Sequence, residues 1–165
     1  MTKRPRQYIG LLCAIAVYYL IHEGAHLLYA LYSGVFKQIN FMGMGIQIDI
    51  YAEQLTDTQL GIFCLTGVLA SQTAAYMMVL LTKPICRCPS KLLRACCYYV
   101  TIALLLLDPV YLSLLCGMFG GGDLNGIALL IPEAAARIGF GVLLIVNLAV
   151  FWKITLPRYT ESFAE

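Results

Sequence analysis

The sequence predicts an all-α integral membrane protein with about four transmembrane helices and a membrane-associated β-hairpin between the first and second helices. Two observations predict this architecture. The 165 residues are 61% hydrophobic and 12% charged, whereas a soluble domain is about 45–50% apolar and about 25% charged. The apolar residues also fall into four long runs, and a helix needs about 20 mostly apolar residues to cross a bilayer. We therefore expect one membrane-embedded domain over residues 1–165, without a separate soluble domain.

The predicted spans are residues 8–31, 60–81, 92–116 and 137–156. Lys and Arg residues precede the first span, fill the connection at 83–94 and follow the fourth span. Cytoplasmic loops collect Lys and Arg, so this distribution places both termini and the 83–94 connection in the cytoplasm. The expected location is an integral, multi-pass position in a cell membrane, with the segment after the first span on the outer side.

The segment at 35–51 changes to a period of two. Ile39 and Phe41 alternate with polar residues, and a second alternating run follows the glycine turn Gly43-Met44-Gly45. Alternation on both sides of a glycine turn predicts a β-hairpin. Because an isolated hairpin is only marginally stable in water, we expect it to lean on the helices or the membrane surface. It leaves a sheet edge that can pair with another strand.

The second span begins with a helix-capping residue and continues with small residues. Thr56 or Asp57 is the expected N-cap. Small residues that permit close helix approach follow: Gly67, Ala70, Ser71, Ala74 and Ala75. Gln72 is polar and is expected to face the interior.

A polar pentapeptide, His22-Glu23-Gly24-Ala25-His26, interrupts the apolar first span. Residues four apart share one face of a helix, so two imidazoles at this spacing can bind one Zn²⁺. Glu23 stays outside the coordination shell and can take a proton from water on the metal. This is the His-Glu-x-x-His arrangement of metalloproteases, in which zinc lowers the pKa of its water to about 7.

The competing interpretation is that neighbouring helices satisfy these polar groups without a metal. The chain has only two histidines, and both lie in this pentapeptide beside the glutamate. A charged side chain in a membrane helix costs at least about 2.5–3.5 kcal/mol, and a bound metal offsets that cost. We therefore predict one Zn²⁺ per chain.

A catalytic zinc normally has three protein ligands, and no third histidine exists. The candidates are carboxylates and thiolates: Asp108, Asp123, Glu133 and the cysteines. Depth along the helices mildly favours Asp108. Because Pro109 follows it and kinks a helix, Asp108 is interpreted either as a structural residue at the kink or as a ligand.

These features resemble the site-two protease family of intramembrane zinc metalloproteases, in particular a compact, minimal-core member. The pentapeptide leads through Gly34 into the hairpin, as in that family. The stretch TGVLASQ (66–72) is similar to its Ala-Gly-Pro-x-Ala-Asn segment, with Val68 in place of the proline and Ser71 where asparagine is expected. The stretch GGGDLNGIALLIP (120–132) resembles the late motif that supplies the third ligand.

The resemblance implies a ligand set of His22, His26 and Asp123, with Glu23 as general base and acid and Asp108 as the alternative ligand. It implies cleavage of transmembrane protein substrates within the lipid bilayer, with the hairpin pairing to an unwound substrate strand. Ser71 or Gln72 would take the substrate-positioning role of the missing asparagine. We expect this protein to lie in a bacterial cell membrane. Familiar family members place zinc nearer the cytoplasmic face, whereas the basic residues place this hairpin and its zinc nearer the outer face.

The alternative is a non-catalytic membrane protein that binds metal or helices, such as an inactive protease relative or an accessory subunit. The departures at Val68 and Ser71 make this alternative credible. Expected partners are the substrate, the bilayer, and either an accessory membrane protein or a second copy of the chain. No nucleic acid is expected.

Overall fold

The computed structural model describes residues 3–42, 45–118 and 122–164. The described residues are 79% helical and include a small two-stranded hairpin. Within the described ranges, four helices are long and apolar enough to cross a membrane: Arg4–Tyr32, Asp57–Leu80, Lys91–Leu115 and Glu133–Ala164. This agrees with the predicted helical fold and suggests a membrane protein. The helices extend past several predicted span ends because helical hydrogen bonding continues through polar flanks that an apolar count excludes.

The helices are α1 (Lys3–Tyr32), α2 (Asp57–Leu80), α3 (Thr82–Cys86), α4 (Lys91–Val110), α5 (Asp123–Ile127), α6 (Glu133–Val150) and α7 (Leu156–Ala164). The strands are β1 (Phe36–Met42) and β2 (Gly45–Ile50), which pair antiparallel. One π-helical turn (Tyr111–Leu115) extends α4, and another (Phe151–Thr155) joins α6 to α7. Gly43 and Met44 of the predicted turn lie outside the described residues, as do Gly120 and Gly121 of the later glycine run.

The end of α1 directs the chain into the hairpin. Gly34 has a φ of +71°, a left-handed conformation that glycine adopts without a Cβ penalty. Val35 N then donates to Ala30 O at 3.0 Å, and Tyr51 N donates to Val35 O at 2.9 Å. The hairpin is thereby fixed against the end of α1.

The start of α2 carries the cap that the sequence predicts. The Thr56 hydroxyl accepts from Gln59 N at 3.3 Å, and the Gln59 side chain accepts from Thr56 N at 3.0 Å. This reciprocal capping box satisfies backbone donors that the first helical turn leaves free.

The proline in α4 is compensated by a side chain from α6. Pro109 has no N–H, so the carbonyl of Leu105 lacks its helical partner. Asn147, which is fully buried, donates to Leu105 O at 2.6 Å and to Gln72 Oε1 at 2.8 Å. Gln72 in turn donates to Leu104 O at 2.9 Å. This network joins α2, α4 and α6 around Pro109.

Two apolar clusters form the core. One joins the hairpin end of α1 to α2 and α5 and contains Ala30, Val35, Ile48, Phe63, Val68, Leu112, Leu124 and Ile127. The other joins the opposite halves of α1, α2 and α4 and contains Ala14, Ala75, Val79, Val100, Leu104 and Leu105. The pentapeptide of α1 lies between them. Large apolar side chains on the outer faces of α1 and α6 are exposed, for example Leu20, Leu28, Ile138 and Ile145, which is typical of lipid-facing helices.

Candidate metal centre

The helical period of α1 places both histidines on one buried face. His22 is 7% exposed and His26 is 3% exposed. Their Nε2 atoms lie 3.2 Å apart. Two nitrogen lone pairs at this separation repel each other unless a proton or a cation lies between them.

Asp123 approaches the same two nitrogen atoms from α5. Gly122 directly before it has a φ of +48°, so the chain turns there before α5 begins. Asp123 Oδ2 lies 3.1 Å from His22 Nε2 and 3.4 Å from His26 Nε2. The carboxylate oxygen of Asp123 is thus a third donor atom beside the two ring nitrogens.

The three ligand atoms have the spacing of a metal site. They form a triangle with edges of 3.1, 3.2 and 3.4 Å. Ligands about 2.0–2.1 Å from a tetrahedral zinc stand about 3.3 Å from one another. His22, His26 and Asp123 could therefore hold a metal ion.

Gly67 lets the backbone of α2 lie directly against the ligand atoms. A Cβ at this position would lie 2.5 Å from His26 Nε2 and 2.7 Å from His22 Nε2. Any side chain there would occupy the space of the centre. The small residue that the sequence singles out for close helix approach thus borders the site itself.

The second ring nitrogen of each histidine faces an acceptor. His26 Nδ1 lies 2.9 Å from Phe63 O and 3.3 Å from the Thr66 hydroxyl. His22 Nδ1 lies 3.2 Å from Asp108 Oδ1. Contacts of this kind on the outer nitrogen fix the tautomer and ring orientation of metal-binding histidines.

Asp108 is held away from the ligand triangle. It contacts His22 through Nδ1, whereas Asp123 contacts the same ring through Nε2. The Tyr18 hydroxyl donates to Asp108 Oδ1, and the Ser71 hydroxyl donates to Oδ2. Asp108 therefore lies beside His22 at the depth along the helices that the sequence indicates. It contacts the Nδ1 atom of the ring, whereas the ligand triangle contains the Nε2 atom.

Glu23 faces the hairpin. Its Oε2 accepts a hydrogen bond from Ile48 N of β2 at 3.2 Å. Glu23 lines a cavity of about 630 Å³ together with His22, His26, Asp123 and residues of β2. The carboxylate and the ligand triangle therefore open into the same space.

The remaining predicted residues lie elsewhere or have other partners. Ser71 is fully buried, and its single hydroxyl hydrogen is shared between Asp108 and Val68 O, which lies 2.9 Å away. Gln72 belongs to the network around Pro109. Glu133 begins α6 and lies 3.4 Å from Arg137. All seven cysteines are free thiols, and Cys64 is among those that line the cavity. Substrate positioning by Ser71 or Gln72 stays a prediction.

The sequence reasoning missed three groups that contact the histidines. Tyr18 precedes His22 by one helical turn, and its ring stacks on the imidazole with centroids 5.3 Å apart; helical spacing was a usable signal. Thr66 lies within the stretch already noted for its small residues. Phe63 acts through its carbonyl oxygen, and no residue type encodes that role.

No protein-family model matches the chain, and comparisons with curated proteins and with solved structures find no match.

Proposed function

We propose that the chain is an intramembrane zinc metalloendopeptidase that hydrolyses peptide bonds in or near transmembrane segments of membrane proteins. One observation carries the proposal. Three ligand atoms converge with mutual distances of 3.1–3.4 Å in a cavity that also holds the carboxylate of Glu23. A helix of mostly lipid-facing residues has no structural need for this arrangement.

The donor set favours zinc. Two imidazole nitrogens and one carboxylate oxygen are a common ligand set of catalytic zinc, which leaves one position open. His22, His26 and Asp123 would hold one ion per chain. A bound Zn²⁺ polarises a carbonyl oxygen and lowers the pKa of a water molecule to about 7.

Glu23 is the proposed proton carrier. It is adjacent to His22 in the chain but is outside the ligand triangle, and the Ile48 amide of β2 orients its carboxylate at 3.2 Å. From this position it accepts the proton of the attacking water and delivers it to the leaving amine. The hairpin thereby sets the orientation of the base.

The edge of β2 is the proposed docking place for an extended substrate. Ile48 pairs with Ile39 of β1, yet its N–H donates to Glu23, so this edge of β2 faces the cavity. An extended peptide can add to an open strand edge by main-chain hydrogen bonds. Such a strand would pass beside Glu23 and the ligand triangle. It would have to be unwound, because a helix has no free backbone groups for this pairing.

The test uses the purified full chain in detergent with a model transmembrane substrate. Cleavage should require zinc, stop with a chelator and return with added zinc. Glu23→Gln should keep the metal and lose about 10²–10⁴-fold in rate, the usual contribution of general acid–base catalysis. Glu53→Gln is the matched control, because Glu53 is exposed on the turn after the hairpin.

Two outcomes would reject the proposal. Cleavage by Glu23→Gln at the wild-type rate would remove the assigned base. Stoichiometric zinc without cleavage of any transmembrane substrate would favour a non-catalytic metal-binding membrane protein instead.

A further inference from the structure

We propose that Asp108 is a positioning residue for His22: it fixes the hydrogen of the imidazole on Nδ1, so that the Nε2 lone pair faces the metal. The inference rests on the metal centre proposed above and not on peptide hydrolysis. It assigns Asp108 a role distinct from that of a ligand.

The contacts of His22 define the tautomer. Its Nδ1 lies 3.2 Å from Asp108 Oδ1, an ion-pair contact that lacks hydrogen-bond alignment, and no aligned hydrogen-bond partner of Nδ1 occurs in the described part of the chain. A neutral imidazole carries one ring hydrogen, and both oxygens of Asp108 act as acceptors, for the Tyr18 and Ser71 hydroxyls. The hydrogen therefore belongs on Nδ1, and Nε2 is left with the lone pair that faces His26 and Asp123. The Phe63 carbonyl at 2.9 Å performs the same task for His26.

The carboxylate of Asp108 is itself held from two sides. Its two oxygens accept the hydroxyls of Tyr18 from α1 and Ser71 from α2, and Asp108 is 3% exposed. The Tyr18 ring also stacks on the imidazole of His22, with an interplanar angle of 28°. The orientation of His22 thus depends on three helices, α1, α2 and α4.

A purely structural role at the kink does not explain Asp108. Pro109 leaves the carbonyl of Leu105 without its helical donor, and no hydrogen bond joins Asp108 to that carbonyl among the described residues. Asn147 supplies that donor at 2.6 Å. The kink is therefore satisfied without Asp108, whose contacts are directed to His22, Tyr18 and Ser71.

Zinc affinity of the full chain in detergent, measured by competition with a chelator, tests the inference. Asp108→Ala should weaken zinc binding about 10–100-fold, the usual effect of losing a partner of a ligating histidine. Asp108→Asn should have a zinc affinity between those of the wild type and Asp108→Ala, because the amide oxygen can still accept from Nδ1. Asn147→Ala is the matched control: Asn147 is equally buried between helices, and its hydrogen bonds go to α2 and α4, not to a histidine. It should leave the affinity unchanged.

A second readout is independent of zinc affinity. Because the chain has only two histidines, ¹⁵N-histidine labelling gives the ring nitrogens of His22 and His26 alone. Asp108→Ala should change the tautomer of His22 and leave that of His26, whose partner is a backbone carbonyl. Tyr18→Phe, which keeps Asp108 and every ligand, should shift the His22 signals in the same direction if Asp108→Ala does not fold.

The inference is overturned if Asp108→Ala binds zinc like the wild type with an unchanged His22 tautomer, or if Asn147→Ala weakens binding equally. A wild type that binds no zinc would overturn both this inference and the metal centre. A wild type that binds zinc with the His22 hydrogen on Nδ1 but cleaves nothing would support this inference and reject only the peptidase.

Discussion

Gly67→Ala is the substitution that the geometry of the centre most strongly forbids. A Cβ on Gly67 would lie 2.5 Å from His26 Nε2 and 2.7 Å from His22 Nε2, where ordinary contact begins at 3.4 Å. Either α2 or a ring must therefore move by about 0.9 Å, while metal–ligand distances tolerate only about ±0.2 Å. The Phe63 carbonyl holds the His26 ring against such a shift. We expect zinc affinity to fall by at least about 100-fold, the upper end of what changes outside the ligand shell cost.

The assay is zinc competition with a chelator, with helix content measured in parallel. Alanine favours a helix over glycine by about 1 kcal/mol, so Gly67→Ala should not unfold α2 itself. Gly24→Ala is the matched control within the pentapeptide, because a Cβ there would meet no described atom within 4 Å. Wild-type affinity in Gly67→Ala would show that α2 does not lie against the ligand atoms and would refute the geometry of the site.

Two further predictions concern stability and pH. Asn147→Ala should lower the free energy of unfolding by about 1–3 kcal/mol, because the buried carbonyl of Leu105 loses its donor; thermal unfolding in detergent measures this loss. The Lys37 ammonium, 3.0 Å from Asp49, lowers the pKa of the Asp49 carboxyl below 3.8. This exposed pair therefore contributes its small stabilisation above the unfolded-state pKa of Asp49 and loses it as the pH falls through the lowered folded-state pKa. An NMR titration of Asp49 should give a midpoint below 3.8 that rises in Lys37→Met; an unchanged midpoint would contradict the assigned cause.

The parts of the fold that follow from local rules could be predicted from the sequence. The helical period alone requires His22 and His26 to share a face, and alternation alone indicates the hairpin. Thr56 and Gln59 encode their capping box within four residues. Each of these features depends on neighbours in the chain, so no tertiary information was needed.

The choice between Asp108 and Asp123 as the third candidate ligand could not be made from such local rules. Depth along the helices favoured Asp108, and only the resemblance pointed to Asp123. Both reach His22, but through different ring nitrogens, and the direction of a ring depends on packing between helices. The contact of the Phe63 carbonyl with His26 and the closeness of Gly67 to the ligand atoms both arise where α2 packs against α1. No residue spacing in the sequence predicts this packing.

Zinc content together with X-ray absorption at the zinc edge tests the central claim most directly. The purified wild type should contain about one zinc per chain, with nitrogen and oxygen ligands at about 2.0–2.1 Å, and Asp123→Asn should lose it. A sulfur ligand at about 2.3 Å, which Cys64 in the same cavity could supply, or unchanged zinc in Asp123→Asn, would contradict the assignment of His22, His26 and Asp123 as the metal centre.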